Sequence, residues 1–184
     1  MADYRRLYHD GGTYFFTLVT YDRREFLTSD LARRCLRYAW NQTRRKHPFR
    51  VDAVCLLPNH IHCIWTLPED DCDFSIRWRM LKGLFSMRFL ARGGHEFNRN
   101  TSRTRKGEVA VWQRRFWEHL IKDEDDFVRH ADYVHYNPVK HGYTVRPRDW
   151  EWSSFHRSVR EGYYDPNWGD TEPHNIRNLK CVGE

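Results

Sequence analysis

The chain has 184 residues, enough for one domain with a sizeable core and too few for two ordinary ones, and its 31 Lys and Arg exceed its 25 Asp and Glu by a formal net charge of +6, which favours a polyanionic partner. No apolar run approaches the roughly 20 residues of a membrane span, and the five cysteines (Cys35, Cys55, Cys63, Cys72 and Cys181) are odd in number and lack C-x-x-C spacing, so neither a zinc cluster nor a disulfide framework is indicated. With no cleavable signal sequence read before Asp3, the expected setting is the reducing cytoplasm.

In chain order, the first strand is expected over Thr13 to Tyr21. After Ser29, Leu31, Cys35 and Ala39 recur at helical spacing. Two further strands follow, Phe49 to Leu56 and His60 to Leu67. The second of these opens on His60-Ile61-His62. Side chains alternate faces along a strand, so His60 and His62 project one way while Ile61, Cys63 and Trp65 project the other. Two imidazoles converging above a sheet suit a divalent metal that polarises a phosphate, with positions left open for oxygen ligands and substrate. The same triplet also suits half-buried or surface histidines with ordinary partners, and taken alone it leaves both readings open.

A second helix is expected from about Ser75 to Leu90, with Ile76, Met80 and Leu84 on one face and Trp78, Leu81 and Phe85 on the next. Between Ala91 and Glu108 the pattern gives way to Gly93-Gly94 and clustered charge, with Arg92, Arg99, Arg103, Arg105 and Lys106 facing Glu96 and Glu108. This basic insertion is expected to be flexible, either a solvated loop or an arm that grips DNA. Arginine flanks aromatics at Arg77-Trp78-Arg79 and Arg114-Arg115-Phe116-Trp117, which suits splayed single-stranded bases where the rings are exposed. For Phe116 and Trp117 a core position is the expectation. Basic clusters that would contact DNA are Arg5 and Arg6, Arg23 and Arg24, Arg77 to Lys82, and Arg114 and Arg115.

A fourth strand, Trp117 to Ile121, precedes a helix expected from about Glu124 to Asn137, with Asp123 as N-cap and Pro138 marking its end. Phe127, Ala131 and Val134 form its core stripe. Asp126, His130, Tyr133 and Asn137, at i, i+4, i+7 and i+11, form a polar stripe beside it. That face offers a phenol able to act as a nucleophile and an amide oxygen one turn away able to ligate a metal. A half-buried tyrosine with its hydroxyl satisfied is the alternative, and Tyr136 is the poorer nucleophile. A short helix is expected within Trp150 to Glu161, and Thr171 to Glu184 reads as a loose polar tail. The order β-α-β-β-α-β predicts an α+β, ferredoxin-like antiparallel sheet with helices on one face, then a tyrosine-bearing helix and a C-terminal extension. Residues 1–168 would form a single domain and 169–184 the tail.

The runs Leu57-Pro58-Asn59-His60-Ile61-His62 and Asp132-Tyr133 through Asn137-Pro138-Val139-Lys140-His141-Gly142, in that order, resemble the paired signatures of the REP-associated tyrosine transposases. Tyr4-Arg5-Arg6 with Gly11-Gly12-Thr13, and Trp112-Gln113-Arg114-Arg115-Phe116-Trp117-Glu118-His119, resemble that family too. The likeness runs from about Asp3 to about Trp168, and the 91–108 segment looks longer than the family's usual connection. It implies a single-tyrosine, His-hydrophobic-His endonuclease and strand transferase that cuts single-stranded DNA beside hairpins of repetitive extragenic palindromes. His60, His62 and Asn137 would hold Mg2+ or Mn2+, and Tyr133 would become joined to the 5′ phosphate. Arg5 and Arg6 would approach the single-stranded flank. The resemblance further implies a monomer, with a dimer as the alternative, working on the bacterial nucleoid. Two other classes fit the residues: a nucleic-acid-binding module, since ferredoxin-like sheets also bind RNA, and a metal phosphodiesterase that uses water and leaves Tyr133 structural.

Overall fold

A computed structural model describes residues 7–177 and 179. Four strands, β1 (Thr13–Val19), β2 (Arg50–Leu56), β3 (His60–Thr66) and β4 (Trp117–Leu120), form one antiparallel sheet in the order β2-β3-β1-β4. Helices α1 (Asp30–Lys46) and α2 (Phe74–Ala91) make the two crossovers, giving the α+β, ferredoxin-like arrangement. The short α3 (Thr101–Lys106), α4 (Glu124–Lys140) and the short α5 (Phe155–Arg160) are the other α-helices among the described residues. Asn100 caps α3 and Ser29 caps α1, each accepting a backbone N–H three residues on, and Asp123 does the same for α4.

Strand alternation divides the core in two. Phe16, Leu18, Ile61, Cys63 and Trp65 point toward α1 and α2, where Trp65 stacks on Trp78 at 4.0 Å between ring centroids. Phe15, Ala53, Cys55 and Ile64 point the other way, against Ala131, Tyr133 and Val134 of α4. On α2 the face of Trp78, Leu81 and Phe85 is buried, while Ile76, Met80 and Leu84 are only half-buried.

β1 ends earlier than Tyr21 because the chain turns into a 3-10 segment, Tyr21–Arg23, with Asp22 and Arg23 at φ of 54° and 50°. Helix α4 runs past the expected stop at Asn137. Pro138 lies inside its last turn, lacking only its own N–H rung, and Gly142, at φ 70°, closes the helix by donating to Val139.

Two segments are more built than their composition suggests. In the 91–108 stretch, Arg103 is buried and donates to the carbonyls of Val109 and Trp112, its guanidinium lying over Tyr21, and Phe97 packs on Phe26. At the C-terminal end, Ile176 is buried in the α4-side core, and Asn175 donates to Asp132, as does Tyr164. The described part of the expected tail therefore packs on α4.

Candidate active site

Antiparallel register puts His62 opposite Thr17 of β1, and His60 opposite Val19. The Nδ1 of His62 meets Thr17 Oγ1 at 2.9 Å, and the Nδ1 of His60 meets Asn59 Oδ1 at 2.5 Å. For His60 that pairing leaves Nε2 as the nitrogen facing α4. The two rings stand 4.7 Å apart, nearly perpendicular, and both are buried.

Across from them, α4 brings Asn137 and Tyr133 down from consecutive turns of one face. Asn137 Oδ1 lies 3.4 Å from His60 Nε2 and is fully buried. A neutral His60 that donates from Nδ1 to Asn59 presents a lone pair at Nε2, so the 3.4 Å separation brings together two electron-rich atoms. Such a spacing suits neighbouring ligands of one ion better than a hydrogen bond. The Nδ1 partners of both histidines also supply the outer support that ligating imidazoles normally have. The donor set of His60, His62 and Asn137 therefore fits Mg2+ or Mn2+, as three neutral ligands that leave the ion its charge.

Tyr133 is 3% exposed, well beyond the half-buried side chain that the helical wheel suggests. Its ring packs edge-on to His62 at 5.2 Å and against Phe15 at 6.0 Å. Lys140, two turns on, donates from Nζ to the phenol oxygen at 2.9 Å and sits 4.7 Å from the ring centroid. Tyr136 lies apart, edge-on to Trp168, and burial raises its pKa. Thr17, Asn59 and Lys140 were not singled out from sequence. Register opposite His62, adjacency to His60 and the i+7 spacing from Tyr133 are the signals that point to them.

The expected DNA contacts divide in two. Gln113 donates to Val19, and Tyr21 to Val111, so Arg23, Arg24, Arg114 and Arg115 gather at the end of β1 that pairs with His60. All four are exposed, Arg24 pairing with Asp22 and Arg114 with Glu108. Lys82 reaches the same end, donating to the carbonyls of Gln113 and Arg114. Arg77 does not belong with them, and the expectation of a DNA contact there is corrected. It is fully buried at the opposite end of the sheet and donates to Asp71, Asp73 and Pro48. The Arg77 hydrogen bond holds the Asp71 carboxyl below its ordinary range despite partial burial. Arg5 and Arg6 lie outside the described residues.

No family model matches the chain. A protein of Haemophilus influenzae provisionally named a REP-associated tyrosine transposase is 46% identical over 169 residues, covering 92% of this chain and 94% of that one. The REP-associated tyrosine transposase of Escherichia coli is 43% identical over 169 residues, 91% of each. Among solved structures, a REP-associated tyrosine transposase bound to a REP hairpin is 39% identical with a TM-score of 0.79, over 100% of this chain and 98% of that one.

Proposed function

The chain belongs to the REP-associated tyrosine transposases, and from that premise we propose that it is a metal-dependent endonuclease and strand transferase for single-stranded DNA beside a REP-type hairpin. The observation that carries the reading is the convergence of His60 and His62 from β3 with Tyr133 and Asn137 from α4 in one buried cluster.

In this reading the Tyr133 oxygen attacks the scissile phosphorus and displaces the 3′ oxygen. One P–O bond forms as one breaks, the phenol proton passes to solvent, and the leaving 3′ oxygen takes up a proton. The 5′ end stays on the protein as a phosphotyrosine, so a 3′ hydroxyl can later reverse the step without ATP. Lys140, already donating to that oxygen, sets a positive charge against the negative charge it carries during attack. When bound at His60, His62 and Asn137, Mg2+ or Mn2+ would neutralise charge on the non-bridging phosphate oxygens. Thr17 and Asn59 engage Nδ1 of the two rings, which leaves Nε2 of each as the nitrogen for an ion.

The exposed Arg23, Arg24, Arg114 and Arg115 would take DNA phosphates at the His60 end of the sheet, with Lys82 beneath them, and Arg5 and Arg6 would meet the single-stranded flank. The protein is read as acting on the nucleoid as a monomer. Among the described residues no helix is long and apolar enough to cross a membrane.

A water-using phosphodiesterase is the second reading, favoured by the burial of Tyr133 and its engagement with Lys140. Incubating the protein with single-stranded hairpin oligonucleotides and Mg2+ or Mn2+, followed by a denaturing gel, separates the readings. A covalent protein–DNA band that requires the metal is the expected result. Cleavage without an adduct selects the phosphodiesterase, and binding without cleavage selects a recognition module.

A further inference from the structure

The polar stripe of α4 has a second half that the proposed chemistry leaves unused. Asp126 and His130 lie on the turns before Tyr133, and instead of β3 they meet His119 of β4. His119 pairs with Phe15 in the β1–β4 register and so projects to the α4 side of the sheet. Its Nε2 lies 2.8 Å from Asp126 Oδ2. His130 Nδ1 lies 3.2 Å from Asp126 Oδ1 and 2.8 Å from the Asp126 carbonyl. The carboxylate also receives the Lys122 N–H at 3.1 Å and Arg129 Nη2 at 3.4 Å. The two imidazoles stack at 4.5 Å.

One ligand-capable atom from each of His119, Asp126 and His130 lies within 4.8 Å of the others, and among the described residues no other trio of His, Cys, Asp or Glu does so. Ligands of a tetrahedral ion with bonds near 2.0–2.1 Å sit about 3.3 Å apart. The imidazole–carboxylate separations of 2.8 and 3.2 Å, one to each carboxylate oxygen, lie just under that spacing, and with all three ligand atoms within 4.8 Å of one another small side-chain shifts bring them to it. Asp126 and His130 are buried, whereas His119 is 27% exposed, which leaves an entry side and room for a water ligand. Burial works to raise the Asp126 pKa, but the bonds from His119 and Lys122 outweigh it and keep the carboxylate ionised.

We propose that His119, Asp126 and His130 form a second metal site, for a first-row transition ion of the zinc class, that clasps β4 to the first half of α4 and steadies the helix bearing Tyr133. Two imidazoles with a carboxylate carry a formal negative charge, whereas His60, His62 and Asn137 offer neutral donors. A zinc-class ion, which takes imidazole nitrogen and carboxylate oxygen together, therefore fills the His119 site first. Phe15 forms a wall common to both sites, 4.9 Å from His130 and 5.5 Å from His62 between ring centroids. The inference concerns a different set of residues and stands whether or not Tyr133 is a nucleophile.

The test is Co2+ titration of the chelator-stripped full chain, followed by visible absorption, with Zn2+ as competitor. His119→Gln is the main variant, because glutamine keeps a donor for Asp126 but is a poor ligand. Asp126→Asn is the second and keeps an oxygen for His119 and Lys122. Expected are a tight ligand-field band that Zn2+ displaces, retention of that band in His60→Ala/His62→Ala, and its loss in both His119→Gln and Asp126→Asn with unchanged circular dichroism. In the His60→Ala/His62→Ala chain Zn2+ should raise the Tm by about 5 °C, and adding His119→Gln to it should remove that rise. No tight band in the unaltered chain, a band that survives His119→Gln, or a band lost in the His60/His62 variant would overturn the proposal.

Discussion

The two faces of the sheet are made by the same strands and do opposite things. Toward α1 and α2, β1 and β3 present Phe16, Leu18, Ile61, Cys63 and Trp65 to a layer rich in aromatics, with Trp65 between Phe49 and Trp78 at 4.1 and 4.0 Å. Toward α4, Thr17 engages His62, and His60 and His62 meet Asn137 and Tyr133. A two-residue period thus sends the aromatic core to one side and the buried polar cluster to the other, one residue apart along the chain. The polar face can be buried because each imidazole has a partner for its outer nitrogen, which removes the penalty of an unsatisfied donor.

The sharpest way to break this division is Tyr133→Phe. It should abolish the covalent adduct on denaturing gels while changing hairpin affinity by less than about twofold. The loss of the Lys140 contact should lower stability by only about 1 kcal/mol. An adduct that persists in Tyr133→Phe and disappears in Tyr136→Phe would move the nucleophile. The opposite face answers differently: Trp78→Ala should cost about 3–5 kcal/mol in urea unfolding, and the protein that remains folded should keep its cleavage rate. Returning to the polar face, His60→Ala and His62→Ala should each slow metal-dependent cleavage about a hundredfold or more, with Asn137→Ala milder. Thr17→Val should slow it about tenfold, because valine keeps the shape but leaves His62 Nδ1 unsupported. Full activity in EDTA would refute the metal role.

A test by pH concerns the side of α4 that meets the C-terminal segment. Burial depresses the pKa of His135 to about 3, with Arg157 adding to it, and its Nε2 lies 3.0 Å from Ser154 Oγ. Below the ordinary value near 6.5 the unfolded chain takes up a proton that the folded chain refuses. Stability should therefore be level above pH 6.5 and fall by about 1 kcal/mol per unit as the pH drops from there toward 3. His135→Gln should remove that contribution to the slope. An unchanged pH profile of urea unfolding in the variant would sink the assignment.

Much of this division was legible from the sequence because it rests on period. The His60–His62 alternation, the Leu31-Cys35-Ala39 spacing and the Asp126-His130-Tyr133-Asn137 stripe each follow from local geometry, and they put these side chains on the faces where the structure has them. Effects fixed by partners that periodicity does not bring together were not legible. Arg77 reads as one of a basic cluster beside an aromatic, yet it is committed to Asp71 and to the carbonyl of Pro48, across a helix-to-helix approach that periodicity does not encode. Arg103 sits in a stretch whose charge suggests solvent, but two carbonyls and a tyrosine face enclose it. Asp132 reads as part of a signature, and its partners Tyr164 and Asn175 lie 32 and 43 residues away.

The outer edge of β2 carries a consequence for synthesis. Its backbone is closed by the C-terminal segment: Leu56 donates to the Trp152 carbonyl, Ser154 donates to the Val54 carbonyl, and the Val54 N–H is met by Ser154 Oγ, a partner 100 residues later. At about 5–20 residues per second the ribosome needs roughly 5 to 20 s to cover that interval. For that time every nascent copy carries an unguarded strand edge able to pair with the same edge on a neighbouring polysome. Yield of native protein should then depend on translation speed through the second half of the message, and a slow codon before Trp152 should increase co-translational aggregation without changing a single residue of the folded chain.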